Sequence, residues 1–210
     1  MPSASRTNAK SIERWSLPAT QARSRATRER ILAAAESVFA QRGYEGARLA
    51  DIAEEAGCSV GAVYFRFKDK DALFFAIAES FAGEARNGLA ALLAGTSDLD
   101  AAATIRTFVT ATAASFRHHK GLFRAIVERG MEHPHAMKTV FALRDELARA
   151  LEKSLGVADA SLKIRVMTQM VYGFMVAGVL NKSAPTKITD SRAIAELANA
   201  CIAYFHAGDA

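Results

Sequence analysis

Residues 48–70 read RLADIAEEAGCSVGAVYFRFKDK, and this stretch decides the fold. Apolar residues recur at helical spacing on both sides of a short break, which predicts two amphipathic helices over Leu49–Ala56 and Val60–Phe67. Only Gly-Cys-Ser at 57–59 separates them. Glycine adopts the left-handed conformation that ends a helix, and serine caps the start of the next helix. The spacing therefore predicts a helix-turn-helix motif over residues 48–67.

The second helix of the motif has two unlike faces. Its larger apolar residues are predicted to pack inward, and they are Val60, Val63, Tyr64 and Phe67. The outward face then carries Gly61, Ala62 and Phe65. Two very small residues in the first turn let the backbone approach a flat or grooved surface closely. Lys68 and Lys70 follow directly, where their ammonium groups are placed to contact phosphates.

Helical periodicity continues on both sides of the motif. Upstream, a helix is predicted from about Thr27, and Gly43 ends it. Downstream, longer helices are predicted over about 70–93, 99–118, 122–131, 134–155, 160–180 and 191–206. No run of alternating β-branched residues occurs. The predicted fold class is therefore all-α, with about nine helices in total.

Charge is concentrated at the amino end of the chain. The 210 residues carry a net charge of +5, and residues 1–70 hold 12 basic and 8 acidic side chains, so +4 of that charge lies in the first third. A basic end on a near-neutral body predicts a polyanionic partner, either nucleic acid or an anionic membrane surface. Residues 1–22 are small and polar with interspersed basic side chains, and we expect them to form a flexible basic arm.

Several functional classes find no support in the sequence. Two cysteines rule out a disulfide scaffold and fit a reducing compartment, so we expect a cytoplasmic protein. The longest charge-free apolar stretch, Val166–Asn181, is too short to span a membrane and predicts a helix buried on all sides. No phosphate loop or nucleophile motif occurs, so neither catalysis nor a cofactor is expected. A metal site is disfavoured, because no carboxylate or cysteine lies at ligand spacing near the histidines His118, His119, His133 and His135.

Residues around the motif extend it into a larger pattern. The matching segments are Arg30–Phe39, Arg42–Tyr44, Asp51–Ala53, Ala56–Tyr64, Phe67 and Lys70–Leu73. This combination resembles the amino-terminal domain of the TetR family of transcriptional regulators over about residues 26–75. The resemblance implies a three-helix helix-turn-helix DNA-binding domain over residues 23–72. It further implies a helical ligand-binding and dimerisation domain over residues 73–210.

The resemblance also implies which residues contact DNA. The third helix would enter the major groove, and the candidate contact residues are Arg48, Ser59, Val60, Gly61, Ala62, Tyr64, Phe65, Lys68 and Lys70. Arg48 departs from the family pattern, which has Thr or Ser as the cap of the second helix; it is expected to reach a phosphate or a base edge instead. Phe65 replaces a more polar residue and would meet a thymine methyl group or a sugar. Tyr64 has two interpretations, a phosphate contact or core packing alone.

The expected partners follow from the same resemblance. The last two helices, at about 160–180 and 191–206, would pair with their copies in a second subunit. Such a homodimer would bind a palindromic operator in double-stranded DNA as a repressor, and a small apolar effector would release it. The alternative is a DNA-binding or architectural protein of the same fold without a ligand. Ten side chains fit either a soft-walled ligand cavity or an ordinary core: Phe108, Phe116, Phe123, Met131, Met137, Phe141, Met167, Met170, Tyr172 and Phe174.

Overall fold

Helices account for all the regular structure in the residues that the computed structural model describes, which are 7–94, 99–129, 134–157, 161–181 and 183–207. In chain order they are α1 (Thr7–Gly46), α2 (Leu49–Glu55), α3 (Val60–Tyr64), α4 (Lys70–Ala94), α5 (Ala101–His118), α6 (Lys120–Arg129), α7 (Pro134–Ser154), α8 (Leu162–Leu180) and α9 (Ser191–His206). The prediction of an all-α fold with about nine helices is confirmed for this part of the chain.

Helix α1 begins much earlier than the sequence predicts. The sequence analysis expects a flexible arm over residues 1–22, whereas the backbone of residues 7–22 is helical; residues 1–6 lie outside the described part. Residues 7–22 contain three alanines and one each of lysine, glutamate, arginine, leucine and glutamine. These residues lose little conformational freedom in a helix, so the segment has the composition of a helix as well as the charge of an arm.

Gly43 interrupts the regular backbone of α1, where the sequence predicts that the helix stops. Its φ is 72°, in the left-handed region that favours glycine. The turn directs the backbone N–H of Tyr44 to Glu128 Oε2 on α6, at 2.8 Å. The end of α1 is therefore anchored to the carboxy-terminal part of the chain.

The predicted helix ends differ from the observed ends by a few residues. Helix α9 and the start of α7 at Pro134 agree with the prediction. Helix α3 is shorter than predicted and ends at Tyr64, so Phe67 lies in the following turn. Helix α5 begins at Ala101 because Asp100 caps it: the Asp100 carboxylate accepts the N–H of Ala103 at 2.7 Å.

An aromatic cluster joins α1 to α4 beneath the helix-turn-helix motif. The rings of Phe39 and Tyr44 on α1 lie 5.4 Å apart, and each contacts the ring of Phe74 on α4. All three side chains are at most 1% exposed. Further along the chain, α1 packs along α6, α4 along α7, and α5 along α9. The helix-turn-helix motif is thus connected to the long helices of the body through the packing of α1 against α4 and α6.

Helix α8 is buried on one side only, which corrects the expectation that it is buried all round. Ile164, Met167, Val171 and Met175 are completely buried, at the spacing of one helical stripe. On the other side, Leu162 is 72% exposed and Met170 is 38% exposed. Within one chain, α8 packs on α5, α6, α7 and α9, and these neighbours cover only the buried stripe.

Candidate nucleic-acid interface

The turn between α2 and α3 is built as the sequence predicts. Gly57 has a φ of 61°, the left-handed conformation that lets the chain leave α2. Ser59 then caps α3, because its Oγ accepts the N–H of Ala62 at 3.1 Å. These two local devices fix the direction of α3 relative to α2.

The inward and outward faces of α3 differ from the prediction at two positions. Val63 is fully buried and Phe67 is 5% exposed, as expected for the inward face. Val60 and Tyr64 were also predicted to pack inward, but they are 40% and 56% exposed. A helix of five residues has only about one and a half turns, so a single residue with Phe67 in the next turn is enough to anchor it. Core packing alone is thereby excluded for Tyr64.

The outward surface of α3 is apolar and open. Phe65 is 84% exposed, the most exposed large apolar side chain in the described residues. A Cβ atom placed on Gly61 would meet only Ser59 Oγ, at 3.8 Å, so this position faces open space. Ala62 is half-buried beside it. A flat, narrow helix surface of this kind fits into the major groove of B-DNA, which is about 12 Å wide.

Arg48 lies at the start of α2 and does not cap it. Its guanidinium group donates to both carboxylate oxygens of Asp51, at 3.1 and 3.2 Å, and its side chain is 76% exposed. Arg42 Nη1 lies 2.7 Å from the same carboxylate. The hydrogen bond from Arg48, followed by the charge of Arg42, holds the pKa of Asp51 below its usual range. Asp51 thus holds two arginines at the surface that α2 presents.

Lys70, which the sequence analysis names as a DNA contact, lies with its ammonium group against the end of α1. Its Nζ donates to the carbonyl oxygens of Tyr44 at 2.7 Å, Ala47 at 3.0 Å and Glu45 at 3.4 Å. The ammonium group also lies 4.4 Å from the ring centroid of Tyr44. All three ammonium protons therefore have acceptors at the end of α1, where carbonyl groups lack helical partners. Lys68, by contrast, is exposed.

Two arginines that the sequence analysis did not single out also belong to this surface. Arg42 lies against Asp51, as described above. Arg66 donates Nη1 to the carbonyl oxygen of Ala62 at 3.0 Å, and its guanidinium carbon lies 5.7 Å from the ring centroid of Phe65. The signal for Arg66 is its spacing, four residues after Ala62. The sequence of the motif does not reveal the role of Arg42, because Arg42 lies on α1 and its partner Asp51 lies on α2.

Helix α6 connects the motif to the body through a very close approach to α1. A Cβ atom on Gly121 would overlap the carbonyl oxygen of Glu36, so only glycine fits there. Arg124 Nη1 donates to the carbonyl oxygen of Ala40 at 2.9 Å. Arg129 Nη1 lies 2.8 Å from Glu45 Oε1. Helices α6 and α1 are therefore joined by a close backbone approach, a hydrogen bond and an ion pair.

A cavity of about 250 Å³ lies between α4, α5 and α7. Its wall is mostly apolar, and it is formed by Phe81, Glu84, Ala85, Gly88, Leu92, Phe108, Ala111, Thr112, Ser115, His119 and Leu147. A smaller chamber of about 40 Å³ shares part of this wall and extends to Phe116, Phe123, Leu143 and Tyr172. Helices of the body thus enclose space for a small molecule.

Of the ten side chains predicted to form either a ligand cavity or an ordinary core, some line the two cavities and others lie in the core or at the surface. Phe108 lines the larger cavity, and Phe116, Phe123 and Tyr172 line the smaller chamber. Met167 is core, Phe174 is half-buried against it, and Phe141 and Met170 are 45% and 38% exposed. Met131 and the side chain of Met137 lie outside the described residues.

The described histidines and cysteines do not form a metal site or a disulfide. His119 is 8% exposed, and its Nδ1 lies 3.0 Å from Glu36 Oε1 on α1. No cluster of His, Cys, Asp or Glu with the geometry of a metal site occurs among the described residues; His133 and the side chain of His135 lie outside them. Cys201 is fully buried in the core, and this burial raises the pKa of its thiol to about 11. Cys58 is half-buried and unpaired.

Small residues are exposed on both α8 and α9. Gly173 and Ala177 are exposed on α8 with Met170 and Gln169, and Ala195 and Ala203 are exposed on α9. Small residues at helical spacing let another helix approach closely. Among the described helices, none combines the length and the apolar character that crossing a membrane requires.

Known proteins similar to this chain are DNA-binding regulators. Residues 31–77 match a family described as "Bacterial regulatory proteins, tetR family". The transcriptional repressor BepR of Brucella suis is 46% identical over 67 residues, which are 32% of this chain and 30% of that protein. The chain covers between 28% and 59% of the length of the curated relatives it matches.

Solved structures share the fold over most of the chain. A putative TetR-family transcriptional regulator from Mesorhizobium loti superposes with a TM-score of 0.73, at 19% identity, over 88% of this chain and 97% of that one. A putative transcriptional regulator from Saccharomonospora viridis in complex with choline superposes with a TM-score of 0.67, at 16% identity, over 86% and 96% of the two chains. These likenesses establish the fold of the long-helix body, which the family match does not cover.

Proposed function

Because the chain belongs to the tetR family of bacterial regulatory proteins, we propose that it is a sequence-specific DNA-binding transcriptional regulator that acts as a repressor. The observation that carries this proposal is the outward face of α3. Gly61 is open to a close approach, and the exposed rings of Tyr64 and Phe65 stand beside it. Helix α3 enters the major groove with this face, in the cytoplasm where its DNA target lies.

Each side chain of the motif has a proposed task. Val60, Gly61 and Ala62 meet the base edges, and Phe65 contacts a thymine methyl group or a sugar. The Tyr64 hydroxyl, together with Ser59 and Lys68 at the two ends of α3, contacts the phosphate backbone and fixes the register. Arg48 exchanges one bond to Asp51 for a phosphate. Lys70 acts indirectly, by holding the end of α1 in place.

We propose further that two copies of the chain form the active unit. One recognition helix contacts too few base pairs for specificity, whereas a two-fold dimer contacts both halves of a palindrome. The exposed apolar side of α8, with the adjoining small residues of α9, is the proposed contact. Met170, Gly173 and Ala177 lie on it, and none of them is covered by another part of the described chain.

A small molecule in the α4–α5–α7 cavity would control DNA binding. Helix α4 lines the cavity with Phe81, Glu84 and Leu92 and begins beside the motif at Lys70. Helix α6 begins one residue after His119, which lines the same cavity, and α6 is locked to α1 at Gly121. A ligand that favours one placement of α4 and α6 shifts the spacing of the two motifs in the dimer; a preference of about 1.4 kcal/mol changes the equilibrium tenfold. This cavity favours a ligand-responsive regulator over an architectural protein of the same fold.

The test is selection of bound sequences from a pool of random DNA duplexes by the purified chain, at two salt concentrations. We expect a palindrome whose half-sites are about 10 base pairs apart, or a multiple of that distance. We also expect affinity to fall steeply as salt rises, because phosphate contacts release counterions. Salt-sensitive binding without an enriched sequence would support the architectural alternative. Absence of DNA binding would overturn the proposal.

A further inference from the structure

The charges around the cavity restrict the molecule that can enter it. Of the described residues that line the cavity, Glu84 alone has a carboxylate, ammonium or guanidinium group. Its carboxylate is 59% exposed and accepts the hydroxyl of Ser80 at 3.2 Å. The Glu84 carboxylate therefore lies where the apolar cavity meets solvent, and it can accept a further hydrogen bond or pair with a cation.

A second, polar cleft adjoins the apolar cavity and adds negative charge at the same place. It measures about 180 Å³ and lies between α1 and α4, and it shares Phe81, Glu84 and His119 with the apolar cavity. Glu29 and Glu36 of α1 and His118 also line it, and no lysine or arginine does among the described residues. A molecule that lies across this border meets apolar walls at one end and carboxylates at the other.

We propose that the α4–α5–α7 cavity binds an organic cation with an apolar body, whose ammonium head lies beside Glu84 at the border of the polar cleft. The apolar body fills the space lined by Phe108, Ala111 and Leu147. A carboxylate, phosphate or acyl-phosphate head would be repelled by Glu84 and would find no lysine or arginine there. This inference deepens the proposed function, and its effect on DNA rests on that function.

His119 connects this site to α1. Its Nε2 lies 3.7 Å from Glu84 Oε2, and its Nδ1 lies 3.0 Å from Glu36 Oε1. The ring also contacts Phe81, with centroids 4.8 Å apart. A cation at Glu84 competes with His119 for the carboxylate, so occupancy alters a side chain that links Glu84 of α4 to Glu36 of α1.

The experiment is isothermal titration calorimetry of the full chain without DNA, using three probes with similar chains. They are octyltrimethylammonium, neutral 1-octanol and anionic octanoate. We expect octyltrimethylammonium to bind at least tenfold more tightly than 1-octanol, and octanoate to bind most weakly. Octanoate binding as tightly as octyltrimethylammonium would overturn the proposal.

Variants locate the charge and the cavity. Glu84→Gln removes the charge and keeps the shape, so affinity for octyltrimethylammonium should fall about tenfold while that for 1-octanol stays the same. Glu79→Gln is the matched control, because Glu79 lies on the same helix, does not line the cavity and accepts from Thr139, which glutamine also does. Ala85→Trp, at a half-buried position that lines both the cavity and the smaller chamber, should fill the space, and all probes should then fail to bind a chain whose helical circular dichroism is unchanged.

Two further results would overturn the inference: an unchanged cation affinity in Glu84→Gln, or full probe binding by a folded Ala85→Trp chain. Neither involves DNA, so they are separable from failure of the regulator proposal. If the chain selects a palindrome but binds no cation, the ligand class is wrong and the regulator stands. If the chain binds the cation but no DNA, the ligand class is right and the regulator proposal is wrong.

Discussion

Helices α3 and α8 both expose large apolar side chains, yet their surroundings differ. On α3, Tyr64 and Phe65 stand among basic side chains that include Lys68. On α8, Met170 stands beside Gly173 and Ala177, and the exposed polar side chains nearest to them on that helix are the neutral Gln169 and, further towards its start, Arg165. The first surface is complementary to a polyanion with apolar base edges. The second is complementary to another apolar helix.

The comparison shows that an exposed apolar surface does not by itself identify its partner. The charges around the surface distinguish a nucleic-acid partner from a protein partner, and they also predict how each contact responds to salt. Binding through α3 should weaken steeply as salt rises, because each neutralised phosphate releases counterions. Association through α8 should change little, because burial of apolar surface drives it. The variants below test each surface separately.

The largest effect on DNA binding is expected from Gly61→Leu. A branched side chain at this open position would hold α3 away from the base edges, so affinity for the selected palindrome should fall to the non-specific level, roughly a thousandfold. A Cβ there meets only Ser59 Oγ at 3.8 Å, so the fold should persist, as circular dichroism would show. Gly61→Ala is the matched control and should lose far less. Equal, small losses in both variants would mean that α3 does not enter a groove.

A second variant breaks the other surface. Ala177→Glu places a carboxylate on the exposed side of α8, where dimerisation would bury it without a partner at a cost of about 3 kcal/mol. Sedimentation should therefore show a monomer, and affinity for the full palindrome should fall roughly a hundredfold. Ala142→Glu, an exposed alanine on α7, is the control and should remain dimeric. A dimeric Ala177→Glu chain would place the interface elsewhere.

The parts of the molecule that the sequence predicted are those that depend on neighbouring residues. Gly57 and Ser59 end one helix and cap the next through bonds within a few positions, so the turn could be read directly. The all-α class followed from periodicity in the same way. Val60 and Tyr64 were placed wrongly, since periodicity gives a side chain's direction but not how far a neighbouring element extends over it.

The features that the sequence could not predict join residues that are far apart in the chain. Lys70 donates to carbonyl oxygens 23 to 26 positions earlier, and nothing local distinguishes it from Lys68. Glu128 anchors Tyr44 from 84 positions away. The cavity likewise draws one wall from each of three helices, so no contiguous motif marks it. Only the packing of the long helices brings these groups together.

A smaller effect is expected from Tyr64→Phe, which keeps the ring and removes the hydroxyl. Loss of one phosphate hydrogen bond should weaken DNA binding about fivefold, or about 1 kcal/mol, with the same order of preference among operator variants. Binding to a series of single-base operator variants measures both quantities. Because Tyr64 is 56% exposed, stability should be unchanged. A change in base preference would instead place Tyr64 against a base edge.

The smallest effect on DNA affinity is expected from Lys70→Met. Comparison with Lys68→Met tests whether each lysine stabilises the fold or contacts DNA. Lys70→Met leaves the carbonyl groups at the end of α1 without their donor, so the free energy of unfolding should fall by about 2 kcal/mol. The folded fraction should bind DNA within about twofold of the original chain.

Lys68→Met should show the opposite pattern, because the side chain is exposed. Its stability should change by less than about 0.5 kcal/mol, while DNA affinity falls and the salt dependence loses about one phosphate contact. Urea unfolding and binding at several salt concentrations separate the two variants. Equal loss of salt dependence in both would restore Lys70 as a phosphate contact and require its ammonium group to leave the carbonyls of α1 when DNA binds.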